Sequence, residues 1–368
     1  MLQRRQRTDL SFLSGYFTEF FDSGTSALAI AIARALEPLV KSGSRPSVLL
    51  PAYGCPNLIS ATLWAGGRPE FIDLAPGSII PDERELVARL NTRDVVVVAV
   101  DAFGVPSLSN AALVLPVADP TLPLVHDLAQ SFAPYVDGWK NIAPQSIISF
   151  GRAKPMSLTM GGGLLSIEPP TVVASKRVYS IASPPRASLL LRAALYNASL
   201  LPQFFGLLSL IPFLRIGRTD FRPHESVGKY ATGFECMVES ATSFMKMNLS
   251  HLTDATRVVL ESVVSARAIL PAPVLESKAG NPLWRLPLIA ASEQDAARIE
   301  DMSRALGVTR LYGRTLPEFL GESPEECAIR WPHAFQLSRR LLTLPTHGRL
   351  MQLQLKSLIK MIGVSSSC

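Results

Sequence analysis

Short apolar, β-branched runs alternate with stretches of helical spacing along the N-terminal half of this chain. Pro46–Leu50, Pro69–Leu74, Val95–Val100, Leu122–Val125, Gln145–Ser149 and Gly163–Ile167 read as strands. Between them, Ala27–Leu36, Leu58–Trp64 and Asp82–Leu90 place apolar residues at helical intervals. A strand that is apolar along its whole length must be covered on both faces, and intervening helices supply the cover. The pattern predicts an α/β fold on a mixed, mostly parallel sheet flanked by helices. In such sheets ligands gather beyond the carboxyl ends of the strands.

The residues at those ends suggest a chemistry. Ser23-Gly24-Thr25-Ser26 opens the first helix. Gly24 lets backbone approach an anion, and the first N–H groups of a helix favour negative charge. Asp127-Leu128-Ala129-Gln130 follows the strand ending at Val125, and Ser149-Phe150-Gly151-Arg152-Ala153-Lys154 follows the next. Singly, each has an ordinary reading as a cap, a turn or a solvated side chain. Together they supply an anion cradle, a carboxylate for a ring nitrogen and an amine for an aldehyde, which are the needs of pyridoxal 5'-phosphate (PLP). Lys154 is the expected attachment and proton-shuttle residue, and Asp127 the expected partner of the ring nitrogen. Gln130 is expected at the ring hydroxyl, and Gly24, Thr25, Ser26 and Ser149 at the phosphate.

The rest of the chain bounds the reading. Its 368 residues are 48% hydrophobic and 18% charged, enough for one large domain and one small one. We divide it into a PLP-binding unit, residues 1–250, and a small α+β unit, residues 251–368. Val227–Ala268 reads as a long helical stretch, Leu283–Ile289 as a strand, and Gln294–Leu306 and Phe335–Leu342 as helices. The four cysteines are scattered, which argues against structural zinc and a disulfide framework. No apolar run follows the basic Met1–Arg7, so a cytoplasmic setting is the expectation. The net charge of +6 forms no stripe interleaved with aromatics, so no nucleic-acid partner is expected.

An apolar insertion, about residues 183–223, stands apart. Ala193–Leu214 carries no charge, but Pro202, Gly206 and Pro212 interrupt it. It reads as two short apolar helices: a flap, a dimer interface, or a peripheral membrane contact through 189–214.

These motifs resemble the DegT/StrS family of PLP-dependent sugar aminotransferases. The resemblance is carried by Ser23-Gly24-Thr25, Pro51-Ala52-Tyr53, Ala65–Leu74, Asp127–Gln130, Ser149–Lys154, Gly307–Phe319 and Arg339–Leu350. It implies a fold-type-I transferase acting as a homodimer. It also implies nitrogen transfer, usually from glutamate, to a keto-sugar carried by a nucleotide or lipid, for polysaccharide or glycoconjugate synthesis. The Gly307–Phe319 stretch resembles the loop that brings a tyrosine toward the active site. Three departures stand out. Cys55 replaces an aromatic that stacks on the cofactor, with Tyr53 as the nearest substitute. Met160-Gly161-Gly162 lacks an acidic residue. Gly233–Met237 has Glu235 where relatives carry an Asn for the partner's phosphate, a repulsive exchange. The alternatives are a PLP enzyme of another class, such as a dehydratase or lyase, and a non-catalytic relative.

Overall fold

The computed structural model describes residues 13, 15–40, 46–90, 95–107, 123–136, 143–170, 177–199, 220–265, 269–271, 274, 282–346 and 356. The strands of its main sheet are β1 (Phe17–Phe21), β2 (Ser47–Pro51), β3 (Arg68–Ile72), β4 (Val95–Val100), β5 (Leu124–Asp127), β6 (Gln145–Ser149), β7 (Gly162–Ser166), β8 (Val178–Ile181) and β9 (Val227–Tyr230). They form one nine-stranded sheet in the order β3-β2-β4-β5-β6-β7-β1-β9-β8. The β3-β2-β4-β5-β6 block is parallel throughout, and so is the β8–β9 pair. β7 and β1 run antiparallel to their neighbours. The fold class expected from the alternation is therefore the one observed.

The helices are α1 (Gly24–Leu36), α2 (Asn57–Trp64), α3 (Glu83–Leu90), α4 (Arg186–Ser199), α5 (Phe234–Ser265), α6 (Glu293–Ser303), α7 (Leu316–Phe319), α8 (Pro324–Arg330) and α9 (Pro332–Arg340). Every residue of α1 from Ser26 to Ile32 is buried. Apolar side chains on every face make α1 a core helix rather than a surface one. Its start is fixed by Ser23, whose hydroxyl accepts the Ser26 N–H at 3.1 Å. A second sheet pairs β10 (Arg285–Ile289) with β11 (Leu341–Pro345), antiparallel.

Three sequence boundaries move. The stretch from Val227 begins as β9, and the helix starts only at Phe234, after Gly233 turns the chain with φ +91°. The helix expected over Phe335–Leu342 ends at Arg340, where β11 takes over. β5 runs on to Asp127, because that segment pairs with both β4 and β6. β1, β8 and β9 were not read as strands. β1 pairs with β7 across most of the chain's first half, and such partners lie outside any local window.

Of the apolar insertion, the first expected helix is present as α4, and residues 200–219 lie outside the described residues. Among the described residues no helix is long and apolar enough to cross a membrane. α5 runs without a break across residue 250.

Candidate active site

The carboxyl ends of β2, β4, β5 and β6 and the start of α1 close around one cavity of about 360 Å³. That is within the size range of small-molecule sites. Gly24, Thr25, Tyr53, Cys55, Asp127, Gln130, Ser149 and Lys154 all line it, and they come from three separate strand ends and one helix start.

The anion end is built by close packing. A Cβ on Gly24 would lie 2.7 Å from the Ser149 hydroxyl, and one on Gly162 would lie 2.5 Å from the Ser23 carbonyl and 2.6 Å from the Gly24 nitrogen. Both positions therefore exclude a side chain. Gly161 has φ +95°, and a Cβ there would meet the Phe234 ring at 2.4 Å. The glycines after the lysine thus seat β7 against the helix start. With the Ser26 N–H capped by Ser23 and that of Ala27 closing on the Ser23 carbonyl, the N–H groups of Gly24 and Thr25 have no partner within the helix.

Ser26 is not brought to the cavity. It is fully buried, donates its hydroxyl to Asp22, and lies 3.0 Å from Ser23 Oγ and 3.1 Å from His224 Nε2. The helical rotation that points Thr25 at the cavity points the next residue away from it.

Asp127 is buried, and its Oδ1 accepts the Ala129 N–H at 2.9 Å. Burial pushes its carboxyl above the usual range; the Ala129 N–H and the Lys154 charge offset part of the rise. A cation opposite the carboxylate would relieve that penalty. On the other face of β5, His126 Nε2 meets Asp101 Oδ1 at 2.9 Å, and Ser107 gives that same oxygen two hydrogen bonds. Burial opposes the Asp101 charge, but His126 and Ser107 outweigh it and hold the carboxyl below its usual range.

Lys154 follows Ala153, a non-glycine residue at φ 52°. Such backbone persists only where its surroundings hold it. Here the Tyr196 hydroxyl accepts the Ala153 N–H at 2.7 Å. The Lys154 Nζ lies 5.6 Å from the centre of the Trp284 ring, a cation–π distance.

Gln130 is committed elsewhere. Its Oε1 accepts the Phe103 N–H and its Nε2 donates to the Tyr312 hydroxyl, both at 2.7 Å. Tyr312 comes from the stretch that resembled the tyrosine-bearing loop, and it lines the cavity. Its ring meets Tyr53 edge-on at 5.8 Å between centroids. Tyr53 Oη is buried in the cavity wall without a hydrogen-bond partner. Burial also raises the Cys55 thiol, offset in part by Lys154. Glu235 does not line the cavity: its Oε2 accepts the N–H of Gly233 at 2.7 Å, a favourable place for an acid at the start of α5.

These features suit PLP on this structure's own terms: a glycine-walled helix start for an anion, a strained carboxylate for a cation, and an orphan hydroxyl. Sequence reasoning missed Trp284 and Phe103, which reach the lysine and Gln130 from distant segments and carry no local signal.

Residues 19–186 match the DegT/DnrJ/EryC1/StrS aminotransferase family. Members of this family are PLP-dependent aminotransferases, which agrees with the family and cofactor read from the motifs. Among solved structures, DesV from S. venezuelae in complex with a ketimine intermediate is similar over 97% of this chain and 87% of its own, at TM-score 0.65 and 16% identity. A DegT DnrJ EryC1 StrS aminotransferase from Brucella abortus covers 97% and 88%, at TM-score 0.64 and 18% identity. Spr1654 from Streptococcus pneumoniae, in its PLP form, covers 95% and 86%, at TM-score 0.60 and 17% identity. At these identities the likeness is one of fold. Protein Rv3402c from Mycobacterium tuberculosis is 30% identical over 147 residues, 38% of this chain. The match spans 36% of the length of that curated relative.

Proposed function

We propose that this chain is a PLP-dependent aminotransferase that moves an amino group from glutamate to a keto-sugar for polysaccharide or glycoconjugate synthesis. The observation that carries the reading is the convergence of Asp127, Lys154, Ser149 and the Gly24–Thr25 helix start on one cavity. When bound, the cofactor supplies an aldehyde for amine exchange and a cationic ring that stabilises a carbanion.

The chain's own residues do the rest. The N–H groups of Gly24 and Thr25 and the Ser149 hydroxyl hold phosphate. Asp127, already unfavourable as a bare buried carboxylate, keeps a ring nitrogen protonated. Lys154 holds the aldehyde and then, with its amine free, carries a proton at Nζ. Tyr53 offers its orphan hydroxyl to the bound cofactor or substrate, and Cys55 occupies the ring face. Gln130 acts through Tyr312 and Phe103. Ser26 is left out of the phosphate set and positions Asp22.

The division at residue 250 belongs to the same proposal, with α5 as the connecting element and Tyr312 and Trp284 delivered from the small unit. A homodimer working in the cytoplasm completes it.

The test is spectral and chemical. Purified protein should absorb in the near-visible, and Lys154→Ala should abolish that band. Borohydride reduction followed by peptide mapping should place a pyridoxyl group on Lys154. With glutamate, 2-oxoglutarate should be released in proportion to enzyme. A colourless wild type that takes up no added PLP would sink the reading.

A further inference from the structure

Helix α4 is amphipathic in reverse. Its inner side is tied to the candidate active site: Leu189 is buried, Tyr196 Oη accepts the Ala153 N–H, and an Arg192 nitrogen lies 3.7 Å from the Met160 sulfur. Ala153 precedes Lys154, and Met160 lines the cavity. On its outer side Ala187, Leu190, Leu191, Ala194, Leu195 and Ala198 are all exposed. Leu190 and Leu191 are 61% exposed and Leu195 is 64% exposed, and the three are neighbours on one face. At helical spacing the six fall within one arc of about 140° that no polar side chain interrupts. A contiguous apolar face of this kind marks a binding surface.

We propose that this face lies in the plane of an anionic bilayer surface and that the amino acceptor reaches the cavity on a lipid carrier. The second half rests on the aminotransferase reading; the first does not. Charge selects the occupant. Arg186 is exposed at the flank of this face, and the sequence between Glu168 and Asp220 contains no carboxylate. A second copy packed on this face would set like charges against each other. A headgroup layer of phosphates is complementary to both Arg186 and the leucines. No described helix is able to cross a membrane, so the geometry is that of a helix lying on the surface. The cavity's lysine side then sits beside the bilayer, within reach of a lipid-borne sugar.

Sedimentation of the full-length protein with vesicles tests the surface. Binding is expected to phosphatidylcholine vesicles containing phosphatidylglycerol, weakened by salt and by Arg186→Gln. A Leu191→Glu/Leu195→Glu double variant should bind roughly tenfold more weakly or worse. Circular dichroism and near-visible absorbance of the variant, compared with wild type, separate lost docking from lost folding. The proposal is overturned if the wild type stays in solution, if it binds uncharged vesicles equally, or if the double variant sediments as before. It is also overturned if the double variant instead dissociates a solution dimer. The carrier half is read from turnover of a vesicle-borne, lipid-phosphate-linked keto-sugar against a soluble nucleotide-linked one. The lipid-borne acceptor should be preferred by wild type and lose its advantage in the double variant; an equal or greater rate with the soluble acceptor overturns it. Absent PLP absorbance with intact vesicle binding would remove the enzymatic reading and leave the surface standing.

Discussion

Asp127 illustrates how a single residue can cost stability and supply function. Its carboxyl is raised by burial, so it binds its proton more tightly folded than unfolded. The penalty is absent below the unfolded value and grows as pH rises through the carboxylate range into the folded one. We therefore expect Asp127→Asn to raise the melting temperature of cofactor-free protein at neutral pH, with the gain vanishing in acid. The same change should weaken PLP binding at least tenfold, since a neutral amide does not hold a ring proton. Thermal scans with and without PLP across pH measure both. Gly162 shows the complementary case, in which what matters is an atom that is missing. Gly162→Ala forces a Cβ against the backbone that opens α1, and we expect a loss of about 1–3 kcal/mol together with weaker phosphate binding. Unfolding curves and inorganic phosphate competition report the two effects. Ser26, Gln130 and Glu235 mark the limit of reading residue types in order. The side chain of each is consumed by a neighbour, and which neighbour depends on helix phase and on contacts from distant segments.

Elements are held together around the cavity by polar ties as well as by apolar packing. Glu19 on β1 is 8% exposed, pairs with Arg34 of α1 at 2.5 Å and bonds the Lys229 ammonium of β9. Burial opposes its charge, but the two cations outweigh it and hold the carboxyl below its usual value. A depressed carboxyl stabilises above its unfolded value and loses that contribution as pH falls through the folded one. Glu19→Ala removes the carboxylate that bonds the buried Arg34, and we expect a loss of about 3 kcal/mol at neutral pH. Lys229, about half exposed, adds little. The deficit should shrink as pH drops through the acid range, which denaturant titrations at a series of pH values will show. The strand runs of the parallel block were legible because each carries a short apolar run bounded by helical or turn segments. β1 and β9 were not, since each owes its place to a partner far along the chain. α4 was expected as apolar, but which side of it faces outward is a matter of docking.

At the scale of the whole molecule, the segment carrying Tyr312 is fastened to the edge of the main sheet. The Asp73 carboxylate accepts the N–H groups of His333 and Ala334 at 3.1 and 2.8 Å, at the start of α9. Trp331 donates its indole N–H to the Phe71 carbonyl at 3.2 Å, and Leu316 N–H bonds the Ala52 carbonyl at 2.7 Å. Asp73 thus caps a helix some 260 residues away in sequence. Asp73→Ala should cost about 1–2 kcal/mol and raise amide exchange in α9 and β11 more than in β4 or β5. Uniform exchange across both sheets would contradict this role.

The sequence by itself determined the α/β class, the family resemblance of residues 19–186 and the order in which a helix start, an acid, a serine and a lysine arrive at strand ends. These are local matters: apolar runs, turn residues and spacing act over a few residues, and the parallel block follows from them. Only the tertiary structure decided that Tyr312 and Trp284 meet the cavity, that Ser26 turns from it, and that α4 presents its leucines outward. Those outcomes depend on pairings between segments far apart in the chain, where burial and hydrogen bonding choose among partners that a linear reading treats alike.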